Sequence, residues 1–292
     1  MNLRNMLEMI RSPESPRGGS DRSSAVLDGY ESIGVALTAE GQVAALGRTF
    51  EVTDAREFAH MFRCVFVNRS YEFRCDRQDP RIIDCGANLG VTVHFWKCLF
   101  PQARVTAFEP DPAICRMLRE NCSGLNSVEV IEAAVWNEDG QLLFKSQGGV
   151  GGHLRGLTES TTQGGELGVR AVRLRDLLGE PVDLLKIDIE GAEIDVLHDC
   201  AERLVNVDRL FVEYHAFVDR PQRLAELVGI LEQAGYLLHV HSEMASKRPF
   251  LRRDVVNGKH HRLNIFASKS HLPEIAWEPE QPVVEARQRQ SD

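Results

Sequence analysis

Residues 81–90 read Arg-Ile-Ile-Asp-Cys-Gly-Ala-Asn-Leu-Gly, and the rest of the chain can be placed relative to this stretch. The short apolar run that ends at Asp84 predicts a buried strand, and Gly86 and Gly90 predict a turn that leads into a helix. Glycines at such a turn let backbone N–H groups approach a ligand closely, and the start of the following helix favours a carboxylate or a phosphate. The stretch therefore indicates a ligand loop at the end of a strand.

Length and composition are those of an ordinary globular protein. The chain has 292 residues, 43% of them hydrophobic and 26% charged, which is enough for a sizeable core. Its 34 basic and 43 acidic residues give a net charge of −9, which argues against nucleic acid as the main partner. There is no signal-peptide pattern and no apolar run long enough to span a bilayer, so we expect a cytoplasmic protein. The seven cysteines lack C-x-x-C spacing, which favours free thiols over a metal or disulfide framework.

Composition also divides the chain into four parts. Residues 1–24 and 271–292 contain few side chains that a core would accept, so we expect a flexible N-terminal segment and a mobile C-terminal tail. Residues 25–79 predict a small N-terminal α+β extension that serves as a lid or a dimer arm. Residues 80–270 form the main domain.

Two patterns predict the structure of the extension. The alternating apolar runs at 33–37 and 43–52 flank Glu40-Gly41 and predict a hairpin. Asp54 predicts the N-cap of a helix that continues through Phe66.

In the main domain, apolar strands alternate with amphipathic helices, which predicts an α/β fold with a mostly parallel sheet covered on both faces. The last two strands are expected to form a hairpin with a long, basic loop. The predicted strands are Ile82–Cys85, Val105–Phe108, Val128–Val135, Leu184–Ile187, Leu210–Tyr214, Leu237–Val240 and Leu263–Ala267. The predicted helices are Leu89–Phe100, Pro112–Asn121, Ala192–Leu204 and a helix over 224–231.

Glu109 lies at the end of the second strand of this domain. A carboxylate at that position accepts hydrogen bonds from both hydroxyls of a ribose. A dinucleotide-binding fold would have the pattern G-x-G-x-x-G, but Asp84 occupies the place of the first glycine. An acid there suits a cationic ligand such as S-adenosylmethionine, so the pattern favours a nucleoside-type cofactor over a dinucleotide.

Three stretches resemble the FkbM family of S-adenosylmethionine-dependent methyltransferases: residues 84–90, Phe108-Glu109-Pro110, and 185–193, which reads Leu-Lys-Ile-Asp-Ile-Glu-Gly-Ala-Glu. The resemblance covers roughly residues 80–215. It implies a class I methyltransferase, a Rossmann-like seven-stranded sheet with a reversed last strand and helices on both faces. It also implies O-methylation of a hydroxyl on a sugar, a glycolipid or a polyketide-type metabolite.

Two strands carry the charged side chains expected to perform the chemistry. On the first of these strands, Lys186, Asp188 and Glu190 occupy alternate positions and so face one way. On the next strand, Glu213 and His215 share a face for the same reason. The two sets of side chains converge if the two strands are neighbours. Methyl transfer needs in-line placement of the partners and removal of a proton from the acceptor hydroxyl. We expect His215 or Asp188 to be the general base. Glu213 would orient the histidine or the substrate, and Lys186 would set the charge state of the carboxylates.

Other interpretations of these residues stay open. Lys186 also fits a structural ion pair with Asp188. Glu193 fits the start of the next helix, where an acid is favourable, better than a substrate contact. Asp188, Glu190 and Glu213 also suit a Mg²⁺ ion that binds two sugar hydroxyls, an option that we allow but do not favour over a metal-free site.

The remaining site predictions concern the walls of the cavity. Glu190 and His153 are expected to contact substrate, the latter within a glycine-rich stretch at 146–168 that is a candidate substrate loop. The basic residues at 247–253 fit either an acidic acceptor or a solvated loop. The predicted cofactor-binding residues are Asp84, Gly86, Asn88, Gly90, Glu109, Pro110, Ala133, Ala134 and Asp188, with Ala133 and Ala134 leaving room for adenine.

These patterns together predict an S-adenosylmethionine-dependent O-methyltransferase that leaves S-adenosylhomocysteine as its product. Its acceptor would be a small-molecule or glycan hydroxyl, and a homodimer is allowed. One alternative is an RNA ribose 2′-O-methyltransferase in which Lys186, Asp188 and Glu213 form a lysine–acid set. The other is a nucleoside-binding module without turnover.

Overall fold

The computed structural model describes residues 33–38, 41–145, 153–155 and 166–269. Its N-terminal part contains a three-stranded antiparallel sheet in the order β1-β2-β3, followed by a helix that runs into a π-helical segment. These elements are β1 (Ala36–Leu37), β2 (Val43–Ala45), β3 (Arg48–Phe50), α1 (Ala55–Phe62) and the π-helix (Arg63–Val67).

The predicted hairpin and helix cap of the extension are both present. Strands β1 and β2 pair antiparallel, and the Asp54 side chain accepts hydrogen bonds from the N–H groups of Arg56 and Glu57. The run at 43–52 is not one strand, however. Leu46 and Gly47 both have positive φ, so they form the tight turn of a second hairpin between β2 and β3.

The rest of the chain alternates between strands and helices. In chain order its elements are β4 (Arg81–Cys85), α2 (Val91–Leu99), β5 (Arg104–Phe108), α3 (Pro112–Asn121), β6 (Val128–Ile131), β7 (Ala134–Trp136), β8 (Gly140–Lys145), β9 (His153–Arg155), β10 (Glu166–Arg173), α4 (Leu174–Leu177), β11 (Leu184–Ile187), α5 (Glu193–Cys200), a 3₁₀ helix (Ala201–Asn206), β12 (Arg209–Phe217), α6 (Leu224–Gln233), β13 (Leu237–Met244) and β14 (Lys259–Ser268).

The main sheet has seven strands in the order β13-β14-β12-β11-β4-β5-β6. Strand β14 is antiparallel to both of its neighbours, and the pairs from β12 to β6 are parallel. This α/β arrangement of seven strands, with the last strand of the chain reversed, is the one predicted from the sequence. Strands β4, β5 and β6 extend the sheet in one direction and β11 and β12 in the other, so the chain reverses between β4 and β11. Ligands bind outside the carboxyl ends of the strands at such a point.

One predicted strand is wrong. Val128–Val135 is two strands in two sheets, because the chain turns after Ile131, whose carbonyl accepts the N–H of Ala133 at 3.1 Å. Strand β7 then joins a second, four-stranded sheet in the order β7-β10-β8-β9, which sequence patterns did not predict.

The extension shares a hydrophobic core with the main domain. Phe58, Phe62 and Phe66 form a row of rings, and Phe66 meets Phe95 of α2 edge-on at 5.3 Å. All four are buried in one cluster with β4, β5 and α3. The expected terminal segments 1–24 and 271–292 lie outside the described residues, and no helix in the described part combines the length and apolar character needed to cross a membrane.

This shared core predicts that a change in the extension destabilises the whole protein. Phe62→Ala should lower the free energy of unfolding by about 3–5 kcal/mol, because a buried ring is replaced by a cavity. Denaturant unfolding followed by circular dichroism measures this loss. Val67→Ala, at an exposed position of the π-helix, is the matched control and should have little effect. A separate low-stability transition for the extension would contradict the shared core.

Candidate active site

The loop after β4 makes a close contact with the loop after β11. Gly86 has a φ of +85°, and a Cβ atom added to it would lie 1.9 Å from the carbonyl oxygen of Asp188, so no larger residue fits. The N–H groups of Gly86 and Ala87 donate to the carbonyl oxygen of Phe108 at 3.0 and 2.9 Å. The expectation that these amides face a ligand is therefore wrong, because they join the loop to β5.

Two predicted cofactor-binding residues lie behind this loop, outside the set of residues that line the cavity. Gly90, the N-cap of α2, has a φ of +83°, and an added Cβ would lie 2.8 Å from the side chain of Leu118. It therefore allows close helix packing. The carboxylate of Asp84 is fully buried, accepts a 2.6 Å hydrogen bond from Thr92 Oγ1, and lies 3.1 Å from Nζ of Lys186. Asp84 thus acts on the site through Lys186 and Thr92, which both line the cavity.

Glu109 lies at the carboxyl end of β5 on the cavity wall, as the ribose prediction requires. Its two carboxylate oxygens accept the N–H groups of Asn88 at 3.1 Å and Asp111 at 3.0 Å. Burial raises the pKa of Glu109 to about 7, although these hydrogen bonds oppose the shift. The side chain is therefore held in place and titrates near neutral pH.

The cavity at the carboxyl edge of the sheet has a volume of about 930 Å³, near the upper end of the range of about 300–1,000 Å³ typical of ligand pockets. It is lined by the loop after β4 and by the loop after β11. The extension also contributes to its wall. The predicted cofactor residues that line it are Gly86, Asn88, Glu109, Pro110, Ala133, Ala134 and Asp188, and those from the extension include Glu57, His60, Met61 and Cys64.

Strands β11 and β12 are parallel neighbours, and the charged side chains converge as predicted. The prediction that Asp188 and Glu190 belong to the same strand as Lys186 is wrong, because β11 ends at Ile187 and both lie in the loop after it. Lys186 is almost completely buried, with 3% of its side chain exposed. Its Nζ donates to the carbonyl oxygen of Gly86 at 2.8 Å and lies 3.1 Å from Asp84 and 3.6 Å from Asp188. Burial works to lower the pKa of Lys186, but the two carboxylates outweigh it and raise that pKa above its usual range.

His215 is enclosed by carboxylates on both sides of its ring, and none of its side chain is exposed. Nδ1 lies 2.8 Å from Glu193, and Nε2 lies 2.8 Å from Glu213 and 3.5 Å from Glu190. Burial opposes protonation, but these carboxylates outweigh it and raise the pKa of His215 well above its usual range. The surrounding carboxylates therefore favour the protonated form of the ring.

Glu193 has a second role besides the one predicted for it. It is the first residue of α5, as expected, but its buried carboxylate also accepts the N–H of Gly191 at 2.8 Å while it holds His215. The spacing in the sequence contained no signal for this contact, because it depends on how α5 packs against β12.

Two cations of the site come from β14. Lys259 pairs with Glu190, and Arg262 lies 3.4 Å from Glu213. Sequence reasoning missed both because it began the last strand at Leu263, whereas β14 begins at Lys259 and its register places Arg262 opposite His215. A strand prediction extended by four residues (263 − 259) would have found them.

Asp188 is the member of this cluster that faces the cavity most openly, with 28% of its side chain exposed. Burial works to raise the pKa of Asp188, but Lys186 and His215 outweigh it and hold that pKa below its usual range. Ligand atoms of Asp188, Glu213 and His215 also lie within 4.8 Å of one another, which a metal ion would require.

Part of the predicted substrate loop lies outside the described residues, namely 146–152 and 156–165. The backbone of His153 belongs to β9, but its side chain also lies outside the described set.

The mostly parallel sheet and the acid-lined cavity at its carboxyl edge are the features that the resemblance to a methyltransferase implied. Residues 84–238 match the family described as "Methyltransferase FkbM domain", and the chain belongs to this family. It is 29% identical over 181 residues to the 2-O-methyltransferase NoeI of Sinorhizobium fredii (strain NBRC 101917 / NGR234), covering 54% of this chain and 74% of that protein. It is 27% identical over 209 residues to Methyltransferase 1 of Beauveria bassiana (strain ARSEF 2860), covering 63% of this chain and 82% of that protein.

Among solved structures, the chain is similar to methyltransferase FkbM from Methylobacillus flagellatus KT, with 15% sequence identity and a TM-score of 0.43. That alignment covers 68% of this chain and 46% of the other. The chain therefore spans less than half of that protein.

The buried pairing of Lys186 predicts a large loss of stability when it is removed. Lys186→Met should lower the free energy of unfolding by about 3–5 kcal/mol, because it leaves the fully buried Asp84 uncompensated. The double variant Asp84→Asn/Lys186→Met should lose less than the sum of the two single changes, by about 1–3 kcal/mol. Chemical denaturation of the four proteins measures this coupling. Strict additivity would show that the two side chains do not stabilise each other.

Proposed function

We propose that the protein transfers the methyl group of S-adenosylmethionine to a hydroxyl of a sugar, a glycolipid or a polyketide-type small molecule. The observation that carries the proposal is that one cavity is lined both by Glu109, an acid at the ribose position, and by Asp188, an acid held ionised by a buried lysine. The name of the relative from S. fredii, a 2-O-methyltransferase, supports oxygen as the methylated atom.

The residues of the cavity fit such a cofactor. Glu109 offers a carboxylate fixed by two backbone N–H groups, and a carboxylate so placed accepts ribose hydroxyls. Ala133 and Ala134 leave a shallow wall beside it on which a flat base fits. When bound, S-adenosylmethionine supplies an electrophilic methyl group. The protein then has to hold the acceptor oxygen in line and accept its proton.

We assign the general base to Asp188. Of the two expected candidates, His215 has both ring nitrogens against carboxylates and is already protonated, so it has no lone pair to offer. Asp188 is ionised and opens onto the cavity. In this assignment His215 is a positioning residue, because its positive charge holds Glu213 and Glu190 next to Asp188.

The geometry favours this function over RNA 2′-O-methylation. A catalytic lysine in such an enzyme would have to reach the substrate, but Lys186 is directed at Asp84, Asp188 and the carbonyl oxygen of Gly86. The paired charges Glu190–Lys259 and Glu213–Arg262 instead offer alternating hydrogen-bond donors and acceptors, which suit a hydroxyl-rich acceptor.

We also propose that the extension, residues 25–79, serves as a lid and not as a dimer arm. His60, Met61 and Cys64 line the same cavity as Asp188, so this part of the extension covers the site while its buried phenylalanines hold it on the main domain.

The role of Asp188 predicts a selective loss of turnover. Asp188→Asn should reduce kcat by about 10²–10⁴-fold with a glycan or polyketide hydroxyl acceptor, because it removes the proton acceptor. Binding of S-adenosylhomocysteine, measured by calorimetry, should change only a few-fold. Asp195→Asn, on α5 and paired with Arg223 away from the cavity, is the control. A kcat of Asp188→Asn within tenfold of that of the unchanged protein would remove Asp188 from the mechanism. In a separate assay of the unchanged protein, loss of activity in chelator would favour the Mg²⁺ alternative.

The raised pKa of Glu109, about 7, predicts that cofactor affinity depends on pH. Ribose hydroxyls bind the ionised carboxylate, so below pH 7 binding must first remove a proton. The affinity for S-adenosylhomocysteine should therefore rise by up to about tenfold per pH unit towards pH 7 and level off above pH 8. Glu109→Gln should bind more weakly at pH 8 and lose this dependence. A Gln variant that keeps the pH slope would assign it to another group.

A further inference from the structure

Four metal-ligating side chains lie together at the rim of the cavity, apart from the groups assigned to methyl transfer. His60 and Cys64 are one helical turn apart where α1 runs into the π-helix, so they share a face. His241 and Glu243 lie two residues apart on β13, which has a bulge at Glu243, and their side chains approach to 3.9 Å. All four line the cavity, and they come from its two sides, the extension and the edge strand of the main sheet.

The distances between these groups suit a single ion. Nε2 of His60 lies 3.8 Å from Sγ of Cys64 and 3.9 Å from a carboxylate oxygen of Glu243. Ligand atoms of these three residues all lie within 4.8 Å of one another. Zinc bonds of about 2.0–2.3 Å place tetrahedral ligands roughly 3.4–3.6 Å apart, so small side-chain movements would bring the three together. Nε2 of His241 lies 3.9 Å from the other oxygen of Glu243, outside this group of three, so its ring would have to move towards the group to become the fourth ligand.

A neighbouring residue orients the carboxylate, as is usual for metal ligands. The side-chain amide of Asn264, on β14, donates to Oε2 of Glu243 at 3.2 Å. The ring of His241 stacks against Phe266 of the same strand with an interplanar angle of 9°. Both groups on β13 are therefore held by β14 before any ion binds.

We propose that His60, Cys64, Glu243 and His241 bind a Zn²⁺ ion that fastens the extension to strand β13 across the mouth of the cavity. A thiolate, two imidazoles and one carboxylate match the ligand preference of zinc, whereas Mg²⁺ prefers oxygen ligands alone. The ion would hold the lid in one position and would take no part in methyl transfer, so this inference does not depend on the proposed acceptor.

Cys64 lies close to the negative charges of Glu243 and Glu213. Burial, followed by the negative charges of Glu243 and Glu213, raises the pKa of the Cys64 thiol, while Arg262 and Arg63 oppose this. A dication would displace the thiol proton into solvent and compensate both carboxylates, so binding should release a proton.

Titration of the full chain with Co²⁺ tests the proposal, because a cobalt–thiolate bond absorbs in the near ultraviolet and a cobalt site without sulfur does not. The protein, treated with chelator and kept reduced with a phosphine, should take up one equivalent of Co²⁺ with this absorption, and Zn²⁺ should displace it. Cys64→Ser should abolish the absorption and Glu243→Gln should weaken binding by tenfold or more. The group Asp188, Glu213 and His215 contains no sulfur, so a metal there would not produce the signal.

Matched controls separate the site from other thiols and histidines. Cys98→Ser changes a half-buried free thiol outside the cluster, and His198→Ala changes an exposed histidine on α5. Both should keep the absorption. Zn²⁺ should also raise the Tm of the unchanged protein but not that of Cys64→Ser. Without metal, the two proteins should have the same Tm. Absence of the thiolate absorption in the unchanged protein, or its persistence in Cys64→Ser, would overturn the proposal.

Discussion

The site depends on one buried cation, the ammonium group of Lys186. It lies between a fully buried carboxylate, Asp84, and a carboxylate that opens onto the cavity, Asp188. It also donates to the backbone of the loop that follows β4. A buried charge without a partner is expensive, so these three groups stabilise the native arrangement only together. The result is that two strand ends, β4 and β11, are tied by charge at the point where the chain reverses direction in the sheet.

A second cation, the imidazolium of His215, extends this pattern to the next strand. Its carboxylate partners are Glu213 on β12, Glu193 at the start of α5 and Glu190 in the loop between β11 and α5. Two cations of β14, Lys259 and Arg262, pair with Glu190 and Glu213. Positive and negative groups thus alternate from Asp84 to Arg262. Such an arrangement keeps Asp188 ionised although it is largely enclosed by protein, so an unprotonated carboxylate faces the cavity.

Sequence patterns predicted the fold well where local and long-range signals agree. Strand β11 and helix α3 have the predicted bounds, since one is a short apolar run interrupted only by Lys186 and the other starts with Asp111-Pro112. Prediction failed where tertiary contacts determine the ends of strands. The two cases are the turn after Ile131, which places β7 in another sheet, and the start of β14. For the site, alternation of side chains placed Asp188, Glu213 and His215 correctly. Alternation carries no information about the protonation of His215, which depends on the packing of Glu193 against the ring.

The contact between Gly86 and the Asp188 carbonyl oxygen has a mechanical consequence. With only hydrogen on the Gly86 Cα, the two loops touch backbone to backbone, and no side chain between them can absorb a displacement. The first loop therefore cannot move towards the second without displacing it. The backbone of Asp188 is in this way held at a fixed distance from the loop after β4.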